Sequence, residues 1–335
     1  MDSTKPNTPR LHQWVNNLWY SDNKVALLLL PISGLFFLVS QCRRVFQKHF
    51  PGIYTKFTVP VIVVGNITVG GSGKTPMVIH LANELSSQGY RVGISSRGYG
   101  RHNRQTLIVD SHHHSSDVGD EPLLIYSNTQ CSVVVGEDRK ANIHMLINDS
   151  HCDLVICDDG LQDYRFQHDV EIIMIDGQRI FGNGFLLPAG PLRESVQRLN
   201  SSNFNVVTNQ VIPAISSDYM HLQSEIAKNL VDSIEAVELT AMKNKKVHAI
   251  AGIANPDRFF SMLESYGIQL LAHPMPDHYE YSVSDFEFDD DLPIFMTEKD
   301  AVKCRHINLQ NVWFVPVTSV LPDSFVARVQ ELIKR

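Results

Sequence analysis

A glycine-rich turn between an apolar run and a helix-like stretch is the part of the sequence best suited to chemistry. Residues 61–76 read VIVVGNITVGGSGKTP, and the glycines can adopt backbone angles that turn successive N–H groups towards phosphate oxygens. Lys74 supplies charge for the β and γ phosphates of a nucleoside triphosphate, which we expect to be ATP, and Thr75 can bind Mg²⁺ at a helix start. The predicted ATP-binding residues are Thr68, Val69, Gly70, Gly71, Ser72, Gly73, Lys74 and Thr75. The loop is a variant, because the strict pattern has glycine where this chain has Thr68.

A pair of carboxylates supplies the second element that such a loop requires. Asp158 and Asp159 follow an apolar run in LVICDDG. An acidic residue at the end of a strand commonly holds the Mg²⁺ shell of a bound nucleotide. Two aspartates before a glycine are also typical of a solvated turn, but their place after a strand in a phosphate-loop domain favours metal binding.

Apolar strands alternate with helix-like stretches around these two motifs. Short continuous apolar strands separated by helices indicate a mostly parallel sheet covered on both faces, which is a doubly wound α/β domain. The predicted strands cover residues 59–66, 90–97, 131–137, 152–159 and 169–176, and the predicted helices cover 75–89, 121–129 and 139–150.

A second alternation begins at about residue 205 and predicts a smaller α/β domain. Asn255, Pro256 and Gly267 bound a predicted helix, and Thr297 with Asp300 forms a capping box before another. The predicted division is an amino-terminal segment of residues 1–56, a nucleotide domain of 57–204 and a smaller domain of 205–335.

One hydrophobic segment lies near the amino terminus. No charged residue occurs from Val25 to Cys42, a length at the lower limit for a bilayer span, which needs about 20 apolar residues. Pro31 and Gly34 weaken its middle, so a kinked or shallowly inserted helix competes with a full span. A buried helix of a soluble protein is the third interpretation. If the segment anchors the chain, the need for ATP places everything after Arg43 in the cytoplasm.

The overall charge argues against nucleic acid as a partner. The formal net charge is −7, and no concentrated basic face is visible, whereas phosphate-backbone affinity depends on one. The 5 cysteines include no CxxC pair, which argues against a zinc site or a disulfide framework.

Six ordered motifs resemble one enzyme family. They read GNITVGGSGKTP, SRGYG, VGDEP, DDGLQ, LPAGPLRE and TEKDAVK, and they resemble the tetraacyldisaccharide 4′-kinases of lipid A biosynthesis. The resemblance implies ATP-dependent phosphorylation of the 4′-hydroxyl of a tetraacylated glucosamine disaccharide 1-phosphate, which gives lipid IVA. It also implies a place at the cytoplasmic face of the inner membrane, with membrane lipids as partners. We expect a monomer.

The resemblance also assigns roles to individual residues. It implies that Asp120 acts with His278 to activate the sugar hydroxyl, with Lys74 as a third catalytic residue. Glu121 joins Asp158, Asp159 and Thr75 as a candidate metal ligand. The candidate substrate-binding residues are Arg97, Tyr99, Arg139, Gln162, Arg193 and Glu194.

One residue departs from the family pattern, which has a histidine where this chain has Asp163. Two other functions stay open at this point. A membrane-associated ATPase switch of the partitioning type shares the GGxGKT pattern, although such proteins usually have a lysine where this chain has Val69. A soluble metabolite kinase is opposed by the hydrophobic segment.

Overall fold

The computed structural model describes residues 10–21, 23–50, 54–102, 104–305, 307 and 309–334. The strands are β1 Val61–Gly65, β2 Val92–Ser96, β3 Leu107–Ile108, β4 Ser132–Val135, β5 Leu154–Asp158, β6 Val170–Asp176, β7 Phe204–Thr208, β8 Asp218–Gln223, β9 Ile226–Asn229, β10 Ala236–Glu238, β11 Lys246–Ala251, β12 Gln269–Pro274, β13 Ile294–Thr297, β14 Val312–Val315 and β15 Thr318–Val320. The helices are α1 Arg10–Tyr20, α2 Val25–Leu28, α3 Leu30–His49, α4 Lys74–Ser87, α5 Ser115–Val118, α6 Asp120–Asn128, α7 Arg139–Asn148, α8 Pro256–Ser265, α9 Glu298–Cys304 and α10 Ser324–Ile333. Short 3₁₀ turns cover Val196–Ser201, Leu239–Met242 and Val283–Phe286.

The larger sheet has 9 strands in the order β15-β8-β7-β6-β1-β5-β2-β4-β3. Its strands pair in parallel from β8 to β4, and only the edge strands β15 and β3 are antiparallel. Alternate residues of β1 point to opposite faces, so Ile62 packs in the core that includes α4 while Val63 packs in the core that includes α7. The predicted parallel α/β sheet is confirmed, and the carboxyl ends of β1 and β5 meet at one edge.

The smaller sheet has 6 strands in the order β10-β9-β14-β13-β11-β12. Helix α8 packs Phe259 and Leu263 into one of its cores, and α9 packs Ala301 and Cys304 into the other. The Thr297 hydroxyl accepts the Asp300 N–H, as the sequence predicts, and so caps α9. The first turn of α9 lies beside α6 of the larger sheet, where Glu298 Oε1 accepts from Asn128 Nδ2.

The larger sheet does not end at residue 204, the boundary predicted from the sequence. Strands β7 and β8 extend it beyond that residue, and β15 joins its edge from the far end of the chain. Helix α10 then packs Phe325 and Val329 into the core of the same sheet. The smaller sheet is therefore built from a chain segment that leaves the larger sheet after β8 and returns to it at β15.

The hydrophobic segment forms α2 and most of α3. Among the described residues, no helix combines the length and apolarity that crossing a bilayer requires. Several of the large apolar side chains are nevertheless exposed, since Leu28, Leu35 and Leu38 are 78%, 62% and 60% exposed. The opposite face of α3 is attached to the body, where the Ser33 hydroxyl donates to the Leu186 carbonyl and accepts the Ala189 N–H. Residues 1–9, 22 and 51–53 of the predicted amino-terminal segment lie outside the described residues.

Candidate active site

The glycine-rich loop joins β1 to α4 and depends on glycine at position 73. Gly73 has φ = 85°, in the left-handed region that favours glycine, and directly precedes the first residue of α4, Lys74. A Cβ atom at this position would lie 2.9 Å from Thr208 Cγ2 on β7. The loop is therefore shaped by backbone freedom and by its close approach to the neighbouring strand.

The side chain of Asn66 fixes the glycine-rich loop by a hydrogen bond, a role that sequence reasoning missed. Its side chain is fully buried, and its Nδ2 donates to the Gly70 carbonyl at 3.2 Å. The Asn66 carbonyl in turn accepts from Gln162 Nε2 at 3.0 Å. The only signal in the sequence was the position of Asn66 directly after β1, because many polar residues at strand ends make such contacts.

The two aspartates of the acidic motif occupy different electrostatic environments. Asp158 ends β5 and is 2% exposed, and burial together with the Glu121 carboxylate raises its pKa to about 7. Burial acts in the same direction on Asp159, but the Lys74 and Arg193 cations outweigh it and lower the pKa of that carboxyl. Lys74 Nζ lies 3.8 Å from Asp159 Oδ1, and Arg193 Nη1 lies 3.2 Å from Asp159 Oδ2.

This acidic corner suits a divalent cation that arrives with a nucleotide. Asp158 Oδ1 is buried and has no hydrogen-bond partner, and the Glu121 carboxylate disfavours the ionised form of Asp158, which a cation would relieve. No group of three or more histidine, cysteine, aspartate or glutamate side chains forms a ready metal site in the described part of the chain. Mg²⁺ fits this pattern, since it usually uses one or two carboxylates together with phosphate oxygens and waters.

Asp120, on a helix of the larger sheet, contacts His278, which follows a strand of the smaller sheet. Asp120 begins α6 and is 6% exposed, and its Oδ2 lies 2.9 Å from His278 Nδ1. His278 follows β12 with φ = 59° and places its ring centroid 5.2 Å from that of Tyr99. Gly119, with φ = 91°, lets α6 begin here, because a Cβ atom would lie 2.9 Å from the Tyr99 carbonyl. The geometry thus joins the two residues that the family resemblance paired, and their catalytic role stays a prediction.

Lys299 on α9 contacts the carboxylates of Glu121 and Asp277, and sequence reasoning assigned it no role. Its Nζ lies 3.3 Å from Glu121 Oε1 and 3.8 Å from Asp277 Oδ1. Burial lowers the pKa of Lys299, but the Glu121 and Asp277 carboxylates outweigh it, so the net shift is upward. The ammonium therefore stays charged beside the candidate metal ligands.

A cavity of about 880 Å³ contains most of the predicted site. Its lining includes Val69, Gly70, Gly71, Lys74, Glu121, Asp158, Asp159 and His278, together with the candidate substrate residues Arg97, Tyr99, Gln162, Arg193 and Glu194. The lining also includes Phe36, Phe37, Arg43 and Arg44 of α3. The remaining loop residues Thr68, Ser72, Gly73 and Thr75 lie outside this lining, and Thr68, Ser72 and Thr75 are buried.

Arg139 lies beneath the cavity rather than on it. The side chain is 1% exposed, and its Nη2 donates to the Asp158 and Asp159 carbonyls at 2.6 and 2.7 Å. Its position therefore suits support of the acidic turn better than the substrate contact predicted from the resemblance. A side chain that follows a predicted strand by a few residues gives no indication in the sequence of which way it points.

Asp163, which departs from the family pattern, has a partner of its own. It is 4% exposed, and Arg165 Nε and Nη2 lie 2.8 and 2.7 Å from its two carboxylate oxygens. Burial would raise the pKa of Asp163, but Arg165 outweighs this and lowers it. Arg165, two residues further along the chain, therefore balances the charge of the Asp163 carboxylate, which stands where the family pattern has a histidine.

The phosphate loop after the central strand and the acidic end of its neighbour define a nucleotide-binding protein of the P-loop class. The family model for Tetraacyldisaccharide-1-P 4′-kinase matches residues 25–334. The chain belongs to that family.

Named relatives and a solved structure agree with this assignment. The chain is 42% identical to the tetraacyldisaccharide 4′-kinase of Methylobacillus flagellatus, over 96% of this chain and 98% of the relative. It is 46% identical to that of Ruthia magnifica, over 90% and 95% of the two chains. A crystal structure of LpxK from Aquifex aeolicus in complex with ATP has a TM-score of 0.77 and 28% identity, covering 92% of this chain and 99% of that one.

Proposed function

We propose that this chain transfers the γ-phosphoryl group of ATP to the 4′-hydroxyl of tetraacyldisaccharide 1-phosphate, with Mg²⁺ as cofactor, and so forms lipid IVA. The observation that carries the proposal is one cavity whose lining includes Lys74, Asp158 and His278 together with Phe36 and Phe37 of α3. It provides phosphate-binding groups, a base and an apolar wall for one acceptor molecule. A sugar with several acyl chains needs all three.

The residues around the cavity divide the chemistry between them. The acceptor hydroxyl oxygen forms a bond to the γ phosphorus while the bond from that phosphorus to the bridging oxygen breaks, and ADP leaves. Asp120 and His278 together take the hydroxyl proton, with His278 Nδ1 donating to the Asp120 carboxylate and fixing its orientation. Lys74 stabilises the charge on the transferring group. Asp158, with Glu121, Asp159 or Thr75, would hold Mg²⁺, which would neutralise phosphate charge.

Arginines in the lining of the cavity suit the anomeric phosphate of the acceptor. They are Arg97 and Arg193 of the main body and Arg43 and Arg44 of α3. A guanidinium group can bind a phosphate through two parallel hydrogen bonds, which an ammonium group cannot do. The arginines on α3 stand where the apolar surface begins, so they suit the phosphate of an acceptor whose acyl chains lie along α3.

We further propose that α2 and α3 lie in the surface of the cytoplasmic leaflet of the inner membrane and that the chain acts as a monomer. Support comes from the exposed apolar residues of α3, together with the hydrogen bonds that attach its opposite face to the body. A helix with one apolar face lies in the headgroup region and buries that face among acyl chains. A monomer in detergent, measured by sedimentation, is the expected state.

Charge on the apolar face of α3 should weaken membrane binding. We expect Leu35→Asp with Leu38→Asp to reduce partitioning onto phosphatidylglycerol-containing vesicles, because each leucine contributes about 1.5 kcal/mol, or roughly tenfold. Ile234→Asp is the matched control, since Ile234 is 92% exposed on a different part of the molecule. Vesicle sedimentation measures both, and equal binding of the two proteins would contradict the placement of α3.

The activity is tested by following the labelled phosphate. Purified protein in detergent should transfer label from γ-labelled ATP to tetraacyldisaccharide 1-phosphate, which chromatography separates from ATP. Label that appears only as free phosphate would favour the ATPase switch instead. Val69 already argues against that switch, because it stands where those proteins usually carry lysine.

A further inference from the structure

Helix α9 presents two lysines, four residues apart, to the first turn of α6. Residues at this spacing lie on one helix face. Lys299 Nζ lies 3.3 Å from Glu121 Oε1, and Lys303 Nζ lies 4.0 Å from Asp120 Oδ2. The smaller sheet, which carries α9, thus places two cations against the carboxylates at the start of α6.

Lys303 is buried together with an aspartate of its own helix. Lys303 is 5% exposed and Asp300 is fully buried, and Lys303 Nζ lies 2.7 Å from Asp300 Oδ1. Taking both charges out of water costs several kcal/mol for each ion, and apolar residues of similar volume often stabilise a protein as well or better. Packing of α9 against α6 alone therefore gives no physical reason for a charged pair in this place.

Asp300 is fixed by groups that surround it. Its Oδ2 accepts the Gly252 N–H at 2.9 Å and also the hydroxyl of Thr297. A Cβ atom at Gly252 would lie 2.9 Å from Asp300 Oδ1, so the chain can bring its backbone to this carboxylate only without a side chain there. A fixed carboxylate in turn fixes the ammonium group that it binds.

The fixed ammonium group faces the carboxylate of Asp120. His278 Nδ1 and Lys303 Nζ both approach the same oxygen, Oδ2, at 2.9 and 4.0 Å. These two contacts together restrict the rotation of the carboxylate, and Oδ1 takes part in neither. We propose that Lys303, held by Asp300, is a positioning residue for Asp120 that keeps its carboxylate oriented for the acceptor hydroxyl.

The inference rests on the proposed function, in which Asp120 acts on the acceptor hydroxyl. Since a displacement of about 1 Å in a reacting group can cost roughly 100-fold in rate, we expect loss of Lys303 to lower kcat by about 10- to 100-fold. ATP binds to the loop around Lys74, which Lys303 does not contact, so the KM for ATP should change little.

The experiment compares six variants, one of them Asp120→Asn alone, in the labelled-phosphate assay, and thermal unfolding is measured for each. Lys303→Met removes the charge, and Lys303→Arg keeps it. Lys303→Met with Asp300→Asn removes both buried charges, so that no unpaired carboxylate is left to destabilise the fold. Lys245→Met is the matched control, because Lys245 is exposed directly before β11 of the same sheet. Lys303→Met is also combined with Asp120→Asn.

The expected results separate positioning from folding. Lys303→Met should lower kcat, Lys303→Arg should restore part of it, and the neutral double variant should unfold near the wild-type temperature but stay slow. Added to Asp120→Asn, Lys303→Met should cause no further loss. A neutral double variant with wild-type kcat would overturn the inference, and so would an equal loss in the Asp120→Asn background.

The two levels of the proposal fail in different ways. A slow Asp120→Asn variant beside a Lys303→Met variant of wild-type rate would overturn the role of Lys303 alone. An Asp120→Asn variant of wild-type rate would overturn both that role and the proposed part of Asp120 in the reaction.

Discussion

Asp120→Asn is expected to lower kcat for glycolipid phosphorylation by about 10² to 10⁴-fold, the usual contribution of a positioned base. Asparagine has the same shape, and its side-chain oxygen can still accept from His278 Nδ1, which lies 2.9 Å from the native carboxylate. It cannot take a proton from the acceptor. The steady-state rate of label transfer at saturating ATP and acceptor measures the effect.

The KM for ATP separates this prediction from a general loss of structure. Asp120 belongs to α6 and not to the loop, so the KM for ATP should stay within about twofold of the wild-type value. Asp149→Asn is a suitable control, because it makes the same substitution at an exposed residue at the end of α7. If the Asp120 variant kept the wild-type kcat, another group would have to accept the proton.

Much of the fold follows from local patterns. The apolar run before the glycines is long enough for a buried strand and too short for a helix, and β1 covers Val61–Gly65 as that pattern predicts. The order of the strands in the sheet is harder to predict from the sequence, because strand pairing depends on contacts between distant parts of the chain. The return of β15 to the larger sheet, after the smaller one is complete, has no local signal in residues 318–320.

The candidate site also has parts that the sequence predicts and parts that it does not. The loop and the acidic strand end could be read from spacing, since each function is confined to a few consecutive residues. Asp120 and His278 are 158 positions apart, and only the family resemblance joined them before the structure placed them in contact. The burial of Lys303 and Arg139 was harder still to predict, because the sequence does not distinguish a buried charged residue from an exposed one.

Lys74→Met is expected to lower kcat by about 10² to 10³-fold, comparable with removing one preorganised donor from a site where charge develops. Methionine keeps most of the volume and removes the ammonium group. Lys74 Nζ lies 3.8 Å from Asp159 Oδ1, and Arg193 still pairs with Asp159 in the variant, so this carboxylate keeps a cationic partner. The fold should therefore survive, which thermal unfolding would verify.

The division of the loss between kcat and ATP binding tests what Lys74 does. A cation that acts on the transferring group interacts more strongly as charge moves onto the bridging oxygen, so kcat should fall further than ATP affinity measured by calorimetry. Lys56→Met, at an exposed position before β1, should leave both unchanged. A Lys74→Met enzyme with wild-type kcat and only a raised KM would mean that the ammonium group binds ground state and transition state alike, and Asp158 with its metal would then have to supply the stabilisation assigned to Lys74.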